Sequence, residues 1–111
     1  MTNLENIHTK EVPQIKKLDE ILKELERLKG EVKRRYKADV IGIFGSYVRG
    51  EQTQKSDIDI LVRFDKDATL LDFTGLAIFL EEKLGVRIDV VPYDTIRKEL
   101  RNKIMDEVIF I

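Results

Sequence analysis

Apolar residues recur at three- and four-residue steps through the first third of the chain. Val12, Ile15, Leu18, Leu22, Leu25, Leu28 and Val32 stand this way, with Lys, Glu and Arg between them. That period predicts an amphipathic helix from about Glu11 to Tyr36. Pro13 suits its first turn, where a missing N–H does no harm. Gly30 is a weak point, at which the helix is expected to bend or end. The spacing is close to a heptad, so a coiled-coil dimer is one reading. Packing of the stripe on the chain's own sheet is the simpler one for so short a run. Met1 to Lys10 is polar and reads as a loose tail, 1–10, ahead of a single domain over 11–111.

After Tyr36 the period changes. Ala38 to Phe44 is short, rich in β-branched residues and nearly all apolar, which predicts a buried strand. Gly45-Ser46 ends it, Tyr47 to Gly50 has room for one helical turn, and Glu51 to Lys55 reads as a polar loop. Asp57 to Phe64 alternates as a second strand. Thr69, with Asp72 three residues on, forms a capping box for a helix carrying Phe73, Leu76, Ala77, Leu80 and Leu84 on one face. Gly85 is placed to terminate that helix. Val86 to Val91 predicts a third strand that stops at Pro92, and Thr95 to Met105 a last helix with Ile96, Leu100 and Ile104 in register. Val108 to Ile111 is strand-like. The expected class is α/β (α+β): a small mixed sheet with helices packed against it.

Composition narrows the function. A chain of 111 residues supports one core. With 20 basic and 21 acidic residues the net charge is −1, without the basic surplus of a protein that coats nucleic acid. The absence of cysteine removes disulfides and cysteine-ligated zinc. No signal-peptide pattern and no apolar run of membrane-spanning length is present, so a cytoplasmic protein without a membrane partner is expected. Charged residues make up 37%, and this excess of Lys and Glu fits heat-adapted proteins. His8 lies in the tail, where an ordinary solvated side chain is the simplest reading.

The candidate chemistry is concentrated in Phe44-Gly45-Ser46-Tyr47-Val48-Arg49-Gly50 and Ser56-Asp57-Ile58-Asp59-Ile60-Leu61-Val62. A glycine-serine turn lets backbone N–H groups approach a phosphate, with a helix start behind them. Residues two apart in a strand share a face, so Asp57 and Asp59 stand side by side while Ile58, Ile60 and Val62 enter the core. Asp89 interrupts an apolar strand, where an unpaired aspartate is costly. Three converging carboxylates repel unless a cation joins them. Asp57, Asp59 and Asp89 are therefore candidate catalytic residues and ligands for one or two Mg²⁺ ions. Gly45, Ser46 and Arg49 are candidates for holding nucleotide phosphates. Arg49 has a second reading, a structural ion pair with Glu51 or Asp57. Lys55 and Arg87 are weaker candidates for substrate contacts.

Gly45-Ser46, Arg49-Gly50, Ser56-Asp57-Ile58-Asp59 and the later Asp89 resemble the signature of the minimal nucleotidyltransferases of the DNA polymerase β-like superfamily. The resemblance runs from about Val32 to Ile111. It implies the nucleotidyltransferase fold, ATP as substrate and Mg²⁺ as cofactor. It also implies a partner: small stand-alone members act as antitoxins that attach AMP to a tyrosine of a HEPN-domain ribonuclease toxin. Larger relatives carry extra domains for the acceptor, and 111 residues leave no room for one. The rival readings are an antitoxin that acts by binding with little or no catalysis, and a nucleotidyltransferase for a small molecule or an RNA end.

Overall fold

The computed structural model describes residues 17–53 and 56–111. His8, Val12, Pro13, Ile15, Lys55 and the expected tail lie outside them. Helix α1 spans Leu18–Tyr36. It runs through Gly30 without ending there, against expectation, because Leu25 and Val32 on either side are both fully buried and hold the helix to the core. Ile21 is fully buried as well. The described part of the stripe, from Leu18 to Val32, packs into the chain's own core.

Strand β1 (Ala38–Phe44) leads into a single turn of helix, α2 (Ser46–Arg49), and then β2 (Ile58–Phe64). Helix α3 (Leu70–Leu84) begins with Thr69 and Asp72 capping one another, the Thr69 N–H donating to Asp72 Oδ2 over 2.8 Å, and Gly85 closes it. Strand β3 (Ile88–Pro92) starts two residues later than its apolar pattern suggests and takes in Pro92. Proline is tolerated there because β3 is an edge strand. The last helix is shorter and later than expected: Tyr93–Thr95 forms a 3-10 turn, and α4 covers Lys98–Glu107. Strand β4 (Ile109–Phe110) ends the fold.

The sheet has the order β3-β2-β1-β4. β1 is antiparallel to both β2 and β4, and β2 is parallel to β3, so the sheet is mixed. α1 and α3 pack one face, burying Ile43, Ile58, Ile60, Val62 and Val90 against Leu25, Leu76 and Leu80. The other face carries a smaller cluster around Leu61, Ile96 and Val108, covered by Ile104 and Met105 of α4. A bulge between Val40 and Gly42 shifts β1 in register. Among the described residues no helix is long and apolar enough to cross a membrane.

Candidate active site

β1 and β2 deliver the two halves of the site to the same end of the sheet. β1 ends at Phe44, whose register partner on β2 is Asp59. Gly45 then turns sharply, at φ 90° and ψ −154°, into the single turn Ser46–Arg49. That positive φ favours glycine, and space requires it too: a β-carbon on Gly45 would overlap Asp59 Oδ2. The turn is anchored from below by Tyr47, which is 5% exposed and belongs to the main core. Burial there pushes the Tyr47 hydroxyl above its ordinary pKa.

Asp59 is also in register with Asp89 on the parallel strand β3. The Asp59 carboxyl lies within hydrogen-bonding reach of Asp89. Partial burial, together with the charges of Asp89 and Asp57, pushes Asp59 up to about 6. Asp89 itself is exposed. The burial cost expected for it does not arise, because the residue stands at the surface. Asp57 is exposed beside them and pairs with Arg87, Nε to Oδ1 over 3.0 Å. Among the described residues no group of three or more His, Cys, Asp or Glu side chains is gathered for a metal ion. The structure brings two of the three aspartates together, and the third is drawn to the nearest cation.

Of the two ion-pair partners expected for Arg49, the structure supplies Glu51 and not Asp57. Its Nε meets Glu51 Oε1 at 3.0 Å and its guanidinium meets Glu107 Oε1 at 3.0 Å. These two carboxylates raise its pKa. Glu107, on the last turn of α4, is a site residue that the sequence reading missed. Its Oε2 accepts the Gly45 N–H over 2.6 Å while Oε1 takes Arg49. Burial pushes the Glu107 carboxyl up, but the Gly45 N–H and the Arg49 guanidinium outweigh it and hold the group below its ordinary value. No local signal could have found it, since Glu107 lies 62 residues from Gly45 and reaches it only through the path of α4.

Phe44, Gly45, Arg49, Asp59, Lys103, Ile104 and Glu107 line a cavity of about 230 Å³. A larger one, about 440 Å³, lies at the far end of β2, between Phe64, Phe73, Leu70 and Pro92. It has neither the Gly45 turn nor any of the three aspartates, so chemistry selects the smaller cavity as the candidate site.

Comparison with known proteins places the chain in a family. The nucleotidyltransferase domain family matches residues 25–111. The protein adenylyltransferase MntA of Thermococcus cleftensis is 39% identical over 94 residues, covering 85% of this chain and 95% of the relative. A candidate protein adenylyltransferase of Methanocaldococcus jannaschii is 41% identical over 93 residues, covering 84% and 95%. Among solved structures, a candidate minimal nucleotidyltransferase superposes with a TM-score of 0.71 at 36% identity, covering 83% of this chain and 94% of its own. A toxin–antitoxin crystallised with AMP-PNP superposes with a TM-score of 0.61 at 26% identity, covering 77% and 70%.

Proposed function

This chain belongs to the nucleotidyltransferase domain family, and from that premise we propose that it is an antitoxin that transfers AMP from ATP to a tyrosine of a partner HEPN ribonuclease toxin. The observation that carries the reading is the meeting of the Gly45 turn with Asp59, and of Asp59 with Asp89. A phosphate-approach turn and a carboxylate pair touching one another are what nucleotidyl transfer needs. The similarity to a protein adenylyltransferase and to a toxin–antitoxin with a bound ATP analogue supports a protein acceptor.

The donor set fits magnesium. Mg²⁺ takes oxygen ligands and is commonly held by one or two carboxylates together with substrate phosphates. Burial first, and then the charges of Asp89 and Asp57, push the Asp59 carboxyl up to about 6, and a cation would relieve the charge part of that cost. Asp59 and Asp89 would hold the ion, and Asp57 would join them on leaving Arg87. Bound magnesium supplies positive charge against the triphosphate and lowers the cost of expelling pyrophosphate.

The remaining work falls to the chain's own groups. The Gly45 and Ser46 backbone and the Arg49 guanidinium receive the phosphates and fix the α-phosphorus near the carboxylates. The acceptor hydroxyl oxygen forms a bond to that phosphorus as the bond to the pyrophosphate oxygen breaks. Its proton passes to a carboxylate oxygen of the Asp59–Asp89 pair. The test is incubation with ATP, Mg²⁺ and the HEPN protein, read by intact mass. The toxin gains one or more AMP masses with the native chain and none with the Asp57→Asn/Asp59→Asn variant. Equal transfer by the two proteins would overturn the assignment.

A further inference from the structure

Glu107 sits where the proposed function needs a phosphate. Its two oxygens take the Gly45 N–H over 2.6 Å and the Arg49 guanidinium over 3.0 Å. A carboxylate and a phosphate are alike to such donors: each is a planar or tetrahedral anion presenting two oxygens to one backbone N–H and one guanidinium fork. The contact is also too specific for a stray surface ion pair. Glu107 is half-sheltered, with a side chain 26% exposed, and the bond to Gly45 is short.

We propose that Glu107 is a gate of the nucleotide site, an internal anion that fills the phosphate cradle when the site is empty and has to leave before a triphosphate can be seated. The inference rests on the nucleotidyltransferase reading and adds a residue to it. Both anions cannot use the same donors, and holding them side by side would press like charges together in a half-buried cavity. Glu107 has a place to go. Lys103 stands one helical turn before it on the same face of α4 and lines the same cavity. Pairs four apart on a helix meet readily, and Lys103 already draws on Glu107 through its charge. Moving the carboxylate from Arg49 toward Lys103 keeps it paired while freeing the cradle.

The gate competes with phosphate, so removing it strengthens binding. A residue that merely braced Arg49 and the turn would do the opposite. Glu107→Gln keeps the shape, and its side-chain carbonyl can still accept the Gly45 N–H, so the fold survives. Glu107→Asp is a second variant, one methylene too short to reach both donors. Affinity for Mg-ATP, for tripolyphosphate and for adenosine is measured by calorimetry, with thermal melting as the check on folding. Loss of one charge-assisted competitor is expected to tighten Mg-ATP and tripolyphosphate by about tenfold in both variants and to leave adenosine unchanged. Weaker or equal Mg-ATP binding by folded Glu107→Gln, with the native chain still binding, overturns the gate and leaves the nucleotidyltransferase reading intact. An equal gain for adenosine overturns it too, because the effect would not lie in the cradle. If neither native chain nor variants bind Mg-ATP or tripolyphosphate, the nucleotide reading falls and the gate with it.

Discussion

Gly45 and Asp59 are packed so closely that a β-carbon on the glycine would occupy the space of the aspartate's Oδ2. The phosphate turn and the first carboxylate of the pair are thus one rigid unit, joined across the β1–β2 ladder through Phe44 opposite Asp59. Gly45→Ala carries two penalties, a strained φ of 90° and the displacement of Asp59. The backbone strain alone costs about 1–3 kcal/mol. Chemical denaturation is expected to show a loss of that order, and AMP transfer is expected to vanish in the fraction that remains folded. Native-level transfer would separate the turn from the carboxylates.

The protonation of Asp59 has a definite sign. Its folded pKa of about 6 lies above its ordinary 3.8, so the unfolded chain gives up this proton more readily than the folded one. The favourable contribution is complete below about pH 4 and is lost as the pH rises through 6. Full conversion of the shift would come to about 3 kcal/mol, and solvent screening of a half-buried carboxyl cuts this to about 1 kcal/mol. Asp59→Asn is therefore expected to be more stable than the native chain at pH 8 by that amount and equal to it below pH 4. Mg²⁺ at pH 8 is expected to raise the melting temperature of the native chain and to leave Asp59→Asn nearly unchanged. A native chain indifferent to Mg²⁺ would count against the pair as the ion's ligands.

Leu25 measures what α1 contributes. It is fully buried against the sheet and α3, and truncating such a side chain to alanine typically costs about 2–5 kcal/mol through lost transfer energy and the cavity left behind. Leu25→Ala is expected to show this by denaturant titration of the monomer, independent of protein concentration. A loss that depended on concentration would point back to a coiled-coil dimer.

Gly42 tests the link between β4 and the site. A β-carbon there would collide with the Ile109 backbone carbonyl, two residues beyond Glu107. Gly42→Ala is expected to loosen β4, lower stability by about 1–3 kcal/mol and raise hydrogen exchange at Ile109 and Ile111. Unchanged exchange would mean that β1 yields instead.

Local signals carried most of the elements. The β1 limits follow from seven consecutive residues dominated by Val, Ile and Phe, and the start and end of α3 follow from Thr69, Asp72 and Gly85, whose roles are local hydrogen bonds and backbone dihedrals. The errors fall where tertiary contacts overrule propensity. Gly30 does not end α1, since residues on either side of it are buried. The last helix begins at Lys98 rather than Thr95, because Tyr93–Thr95 is taken up by a tighter turn whose Thr95 hydroxyl donates to the Pro92 carbonyl.

The same division runs through the site. Order along the chain alone determines that a glycine-serine turn precedes a strand headed by two aspartates, because a strand's two-residue alternation and a glycine's backbone freedom act over a few residues. The strand begins at Ile58, one residue later than expected, so Asp59 lies on its face and Asp57 just before it. Which carboxylates meet was decided only by the folded sheet. The parallel register of β2 and β3 puts Asp89 beside Asp59, and Arg87 takes Asp57. The path of α4 brings Glu107 across to Gly45 and Arg49. Such pairings depend on strand register and on a helix crossing a sheet face, and those are set by burial summed over the whole core, which no short stretch of residues encodes.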